Sequence, residues 1–174
     1  MPNWCECDLT VEVPCEEDKK LREKALKELV AFKEYATCGN KPLETNKFIP
    51  YPRKFRQLDK IAAKVFKRTG KHIADGFNQG GYEWCSDNWN TKWGICNAEI
   101  IQEVLEDTGY IDYRFESAWS PPLPVILKMS EMFPNQRFIL RYFECGCAFN
   151  GIYICHKGKV EDDRSGDYFG GRGG

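Results

Sequence analysis

The sequence predicts an α+β fold, an antiparallel sheet with helices on one face. Two observations lead there. Some segments alternate apolar and polar residues, others repeat apolar residues at helical spacing, and the two kinds follow one another as strand, helix, inserted helix, strand, strand, helix, strand. The composition agrees: 174 residues, 42% hydrophobic and 14% aromatic, suffice for one core and exclude a disordered chain.

Residues 3–13, NWCECDLTVEV, place Cys5, Cys7, Leu9, Val11 and Val13 on one face and Trp4, Glu6, Asp8, Thr10 and Glu12 on the other, the pattern of a half-buried strand. Pro14 ends it. Glu16, Glu17 and Asp18 suit a helix N-terminus, and Leu21, Ala25, Leu29 and Phe32 give the apolar spacing of a helix running towards Gly39 and Asn40. After FIPYP, a second helix over 55–69 aligns Phe55, Leu58, Ile61, Ala62, Val65 and Phe66 and closes at Gly70.

The segment NAEIIQEVLEDTG fits helical spacing through Ile100, Ile101, Val104 and Leu105, but DTG is also a hairpin turn before the alternating Ile111, Tyr113 and Phe115. The expectation is a hairpin. Ser120 and Pro121 mark a helix start, with Ile126, Met129 and Phe133 as its stripe and Pro134 as its stop. RFILRYFE and FNGIYICHKG supply two last strands.

That order is the split βαβ repeat of the ferredoxin-like sandwich, a topological term that implies no iron. The expectation is a single domain over 1–160 with a helical insertion at about 41–92 and an extra C-terminal strand. Residues 161–174, rich in Asp and Gly, are expected to form a flexible tail.

Twenty-five Lys plus Arg oppose 26 Asp plus Glu, so the whole chain exerts no net pull on nucleic acid or anionic lipid. No stretch is apolar enough to span a bilayer, and MPNWCECD carries acids where a signal peptide carries Lys or Arg; a cytoplasmic protein without membrane contact is expected. Nine cysteines without a dense framework are read as reduced thiols. The sequence has no GxxxxGK[ST], GxSxG, HExxH or CxxC, and only His72 and His156 as imidazole bases, so no enzyme and no cofactor is expected.

At NWCECDLTV, FIPYP, FNQGGYEWCSDNWNTKW, AWSPPLP and RYFE, in order over about residues 3–151, the chain resembles the YubB ferredoxin-like domain family. It departs from the family pattern at Cys7, where Asn is usual, and at Cys145 and Cys147. The resemblance implies a ferredoxin-like fold with a helical insertion, an origin in phages or conjugative plasmids, and no assigned biochemical role or catalytic residue.

Three features are candidates for a site. In residues 53–71, Arg53, Lys54, Arg56, Lys60, Lys64, Lys67, Arg68 and Lys71 face one acid, Asp59; eight cations against one anion give +7, leaving −8 on the rest. Lys60, Lys64, Lys67 and Lys71 fall at i, i+4, i+7 and i+11, one stripe whose like charges repel unless an anion sits there. Arg56, Lys60, Lys64, Lys67, Arg68 and Lys71 are the expected partner-binding residues, for an acidic protein surface or a nucleic acid. A sheet face bearing Glu6, Asp8, Asp112, Arg114 and Glu116 disfavours base stacking on the strands. Second, Asn78, Gln79, Tyr82, Trp84, Trp89 and Trp93 could line a pocket or pack the insertion. Third, Cys5-x-Cys7 and Cys145-x-Cys147 invite a zinc reading, but strand parity sets the pairs on opposite faces and no metal is expected.

The leading expectation is a non-enzymatic binding protein of a phage or mobile element that engages a host protein in the host cytoplasm, plausibly as a counter-defence inhibitor. Nucleic-acid binding through 53–71, and a small-molecule or enzymatic site around 77–93, are the alternatives.

Overall fold

In a computed structural model, residues 3–15 and 18–167 are described. The first strand, β1 (Trp4–Glu12), leads into α1 (Lys19–Ala36), and the hairpin of β2 (Cys96–Val104) and β3 (Tyr110–Ala118) leads into α4 (Leu123–Met132) and β4 (Arg137–Glu144). Between α1 and β2 lie a 3-10 turn at Thr45–Lys47, α2 (Arg53–Thr69), a second 3-10 turn at Phe77–Gln79 and α3 (Gly81–Trp89). Strands β5 (Phe149–His156) and β6 (Lys159–Asp167) complete the sheet, ordered β2-β3-β1-β4-β5-β6. Every pairing is antiparallel, and β2-β3-β1-β4 is the ferredoxin-like arrangement with two strands added beyond β4.

Period-2 alternation fixes which face is buried. In register across β1, β3 and β4, Leu9 lies between Tyr113 and Leu140, and Val11 between Ile111 and Phe138, all nearly fully buried. Ala25, Leu29, Phe32 and Ala36 of α1 and Val125, Ile126 and Met129 of α4 cover this face. Phe32 meets Phe133 and Phe138 edge-on at centroid distances of 5.1 and 5.4 Å, an arrangement that adds to plain area burial. Asp18 caps α1 by accepting from the backbone N–H groups of Lys20 (2.7 Å) and Leu21 (3.2 Å).

The hairpin reading of 97–108 holds, because Asp107 and Gly109 take positive φ at the turn and Gly109 N donates to Glu106 O. Register shifts between Cys96 and Glu99 and between Ile100 and Gln102 break the alternation of β2, which explains why its apolar residues mimic helical spacing. α4 begins at Leu123 with Pro122 as N-cap, two residues beyond the expected start, and Ser120 Oγ donates instead to Asn90 O.

One expectation is overturned. Residues 161–167 belong to β6 and are not a flexible tail; residues 168–174, which hold most of the DYFGGRGG motif, lie outside the described residues. β6 is an edge strand held by its backbone ladder to β5, with Val160 47% exposed, so no apolar pattern announces it. The turn that makes it does leave a trace: Lys157 and Gly158 both have positive φ, the geometry of a two-residue hairpin.

Candidate functional site

α2 follows the Pro52 N-cap and ends at Gly70, whose φ of 68° and N–H bond to Phe66 O (2.8 Å) close the last turn in a conformation that glycine adopts without strain. Its buried residues are Phe55 and Ala62; Leu58 and Val65 are half-buried, and Ile61 and Phe66 are 51% and 48% exposed. The apolar stripe read from sequence is therefore only partly covered. Phe66 instead stacks on His72 at 4.4 Å.

The opposite face carries the cations. Arg53, Lys54, Arg56, Lys60, Lys64, Lys67, Arg68 and, beyond the helix, Lys71 are all exposed, and among the described residues none of them forms an ion pair. Two have local partners: Lys54 Nζ lies 4.5 Å from the Phe55 ring, and Arg56 Nη2 donates to Asn46 Oδ1 (3.2 Å) and Tyr51 O (3.1 Å). Asp59 forms no ion pair with these cations among the described residues; its Oδ1 accepts from Phe77 N at 3.1 Å. Lys60, Lys64 and Lys67 thus share a solvent-facing stripe of α2, whereas Lys71, expected at i+11 of that stripe, lies off the helix because Gly70 ends it in the left-handed region.

Of the six residues expected near 77–93, two line a cavity of about 440 Å³ bounded by α2 and α3: Trp89 and Trp93. Trp89 is buried and donates from Nε1 to Ile49 O at 2.9 Å, while Trp93 is 42% exposed. The other four lie outside that lining. Asn78 Nδ2 donates to Asp75 Oδ1, Gln79 Nε2 donates to the carbonyls of Ala74 and Asp75, Tyr82 packs edge-on against Phe77 and Trp119, and Trp84 meets Trp89 edge-on at 5.3 Å. These are loop and packing roles.

Arg56, expected among the partner-binding residues, also lines this cavity, and the other polar groups, chiefly Tyr51, Asp59, Asp75 and Lys92, are ones that sequence reasoning passed over. Tyr51 belongs to FIPYP and Asp59 is the lone acid of the cationic segment, so both stood in quoted motifs without a stated role. Tyr51 Oη is shut from solvent with no hydrogen-bond partner among the described residues, and burial, reinforced by Asp59 and other acidic groups, pushes its pKa up to about 12. Burial, then Asp59, likewise raises the Cys85 thiol to about 11. Lys92 Nζ sits over Trp93 at 4.7 Å and Trp119 at 5.1 Å, a cation held by aromatic faces.

The remaining sites are simply placed. Cys5 and Cys7 are wholly buried in the core, whereas Cys145 and Cys147 are exposed in the turn after β4. Glu144, buried on the core side opposite Cys5, accepts from the N–H groups of Gly146 and Cys147 and so shapes that turn. Among the described residues no group of three or more His, Cys, Asp and Glu could hold a metal ion. On the outer sheet face Arg114 pairs with Asp8 at 3.0 Å and Thr10 donates to Asp112 at 2.6 Å, a polar platform. His156 Nδ1 lies 3.5 Å from Glu161 on β6. No helix among the described residues is long and apolar enough to cross a membrane.

Comparison with known proteins adds a family and a fold. The family model described as "Ferredoxin-like domain in Api92-like protein" matches residues 77–170. Among solved structures, the crystal structure of a protein api92 from Yersinia pseudotuberculosis matches over 98% of this chain and 99% of that one, with 12% identity and a TM-score of 0.52. At that identity the likeness concerns the fold. No curated protein matches the chain in sequence.

Proposed function

We propose that this chain, which belongs to the family of ferredoxin-like domains in Api92-like proteins, is a non-enzymatic binding protein that docks on an acidic surface of another protein through α2. The observation that carries this reading is the cationic face of α2: Lys60, Lys64, Lys67, Arg68 and, beyond the helix, Lys71 are exposed without ion pairs among the described residues, and Ile61 and Phe66 are exposed elsewhere on the same helix. Exposed apolar side chains on the helix that carries the cations suit a protein partner, since desolvated apolar contact supplies affinity and charge supplies orientation and encounter rate. A phosphate backbone would answer the lysines and leave Ile61 and Phe66 unused.

The setting we infer is that of a phage or mobile-element protein acting in the host cytoplasm, where it blunts a defence system by occupying a host component. The resemblance to YubB domains motivates it. Nucleic-acid binding through the same stripe is the second reading, favoured by the i, i+4, i+7 spacing of Lys60, Lys64 and Lys67 on α2.

Affinity capture with the full chain, with and without nuclease, separates the two. A protein retained stoichiometrically after nuclease, and lost when Lys64, Lys67 and Lys71 are changed to Glu, supports the docking reading. Retention that nuclease abolishes, with a gel shift on RNA or DNA that weakens steeply with salt, replaces it with the second.

A further inference from the structure

We propose that the cavity between α2 and α3, with the groove beside it, binds a nucleoside 5′-phosphate unit, the base against Asp59 and Asp75 and the phosphate at Arg53, Arg56 and Lys60. The cavity of about 440 Å³ and a second one of about 460 Å³ share Tyr51 and Arg56 in their linings. Each lies in the size range of small-ligand sites, and the carboxylates and aromatic rings are confined to the first apart from Tyr51. The first has aromatic walls from Phe77, Trp89 and Trp93, the carboxylates of Asp59 and Asp75, and the cations of Arg56 and Lys92 at its lining. The second is lined by Arg53, Arg56 and Lys60 and contains no acid.

Within the aromatic half, Asp59 and Asp75 each use Oδ1 to hold the loop, accepting from Phe77 N (3.1 Å) and from Asn78 N (2.8 Å). Among the described residues no donor reaches Oδ2 of either carboxylate. These are acceptors suited to the exocyclic amino group of a base, which aromatic side chains stack without regard to its identity. Tyr51 belongs to both linings, while its Oη is turned away from solvent against Gly81, with no hydrogen-bond partner among the described residues. In the basic half, Arg53 and Lys60 have no ion-pair partner among the described residues, and no side chain caps the first turn of α2, from which Arg53 and Arg56 arise.

A ligand that fills both halves needs a flat ring with N–H donors at one end and an anion at the other. A free amino acid carries its ammonium and carboxylate on one carbon and cannot divide them between the halves. Inorganic phosphate leaves the aromatic half empty, and a nucleoside leaves the cations unanswered. A nucleoside phosphate meets both, whether free or as a unit of a single strand.

The test is titration of the full chain, followed by tryptophan fluorescence and calorimetry, with AMP, adenosine, inorganic phosphate and a 5′-phosphorylated deoxyadenosine decamer. AMP is expected to bind at least about tenfold more tightly than adenosine or phosphate. Changing Arg53 and Lys60 to Glu should reduce AMP to the affinity of adenosine and leave adenosine unaltered. Asp59→Asn, which keeps an acceptor for Phe77 N, should weaken AMP and adenosine alike. Tighter binding of the decamer than of AMP assigns the unit to a single strand; equal binding assigns it to the free nucleotide. Absence of saturable AMP binding by the wild-type chain at about 5 mM, or phosphate binding as tightly as AMP, overturns the proposal. Lys60 is common to both readings, but Lys64, Lys67 and Lys71, whose reversal tests protein docking, have no part in this one, so the two tests are distinguishable.

Discussion

Asp59 on α2 accepts the backbone N–H of Phe77 across 18 residues of chain, at 3.1 Å. Because α2 buries only Phe55 and Ala62, this bond carries an unusual share of what holds the helix to the rest of the insertion. Asp59→Ala strands the N–H of half-buried Phe77 and should cost about 1–2 kcal/mol, seen as faster amide exchange over residues 71–80. Asp59→Asn should restore most of the protection. Unchanged exchange in the alanine variant would show that α2 is held otherwise.

Gly76 makes the second tie. An added Cβ there would lie 2.1 Å from Phe55 O, a backbone atom that cannot yield without moving α2. Gly76→Ala is therefore expected to destabilise by about 1–3 kcal/mol and to shift the near-ultraviolet signal of Trp89 and Trp93, which face the same cavity. Gly166→Ala, where an added Cβ meets nothing, is the control and should leave both unchanged.

Buried thiols set an alkaline limit on stability. Burial raises Cys85 and Cys155 to about 11 from an ordinary 9.0, so the folded chain keeps protons that the unfolded chain releases. For an acid raised in this way the stabilisation is complete below about pH 9 and is lost as pH climbs towards about 11. Urea midpoints should fall across that window, and less steeply in Cys155→Ala. A flat profile from pH 8 to 11 would contradict the burial of these thiols.

Thiol accessibility offers a direct check of strand parity. Cys15, Cys38, Cys145 and Cys147 are exposed, Cys5, Cys7, Cys85 and Cys155 are buried, and Cys96 is intermediate. Under native conditions a disulfide reagent should titrate four thiols rapidly and Cys96 more slowly, and all nine after denaturation. Rapid reaction at Cys5 or Cys7 would reverse the assignment of the β1 faces.

Strand parity and helical spacing made the sheet and both covering helices legible, because Cys5 to Val11 and Ala25 to Phe32 bury themselves by a periodic rule. Elements held by backbone alone were not legible. β6 has charged side chains on an exposed edge and is secured by pairing to β5, so only the Lys157–Gly158 turn hinted at it. The α2 stripe could be read from charge spacing, since lysines left without partners keep the positions that the helix gives them. The cavity could not, because Tyr51, Asp59, Asp75 and Trp93 converge only through the fold of the insertion. Trp84, Tyr82, Asn78 and Gln79 looked equally apt in sequence and serve to pack or cap it.

The docking face is tested most directly by charge reversal with folding held constant. Changing Lys64, Lys67 and Lys71 to Glu removes no ion pair among the described residues, so stability should stay within about 0.5 kcal/mol of wild type. With the captured protein partner purified, calorimetry should show binding that weakens as salt rises and that the triple variant loses by at least about a hundredfold. Equal affinity of wild type and variant, with both fully folded, would contradict the assignment of α2 as the binding surface.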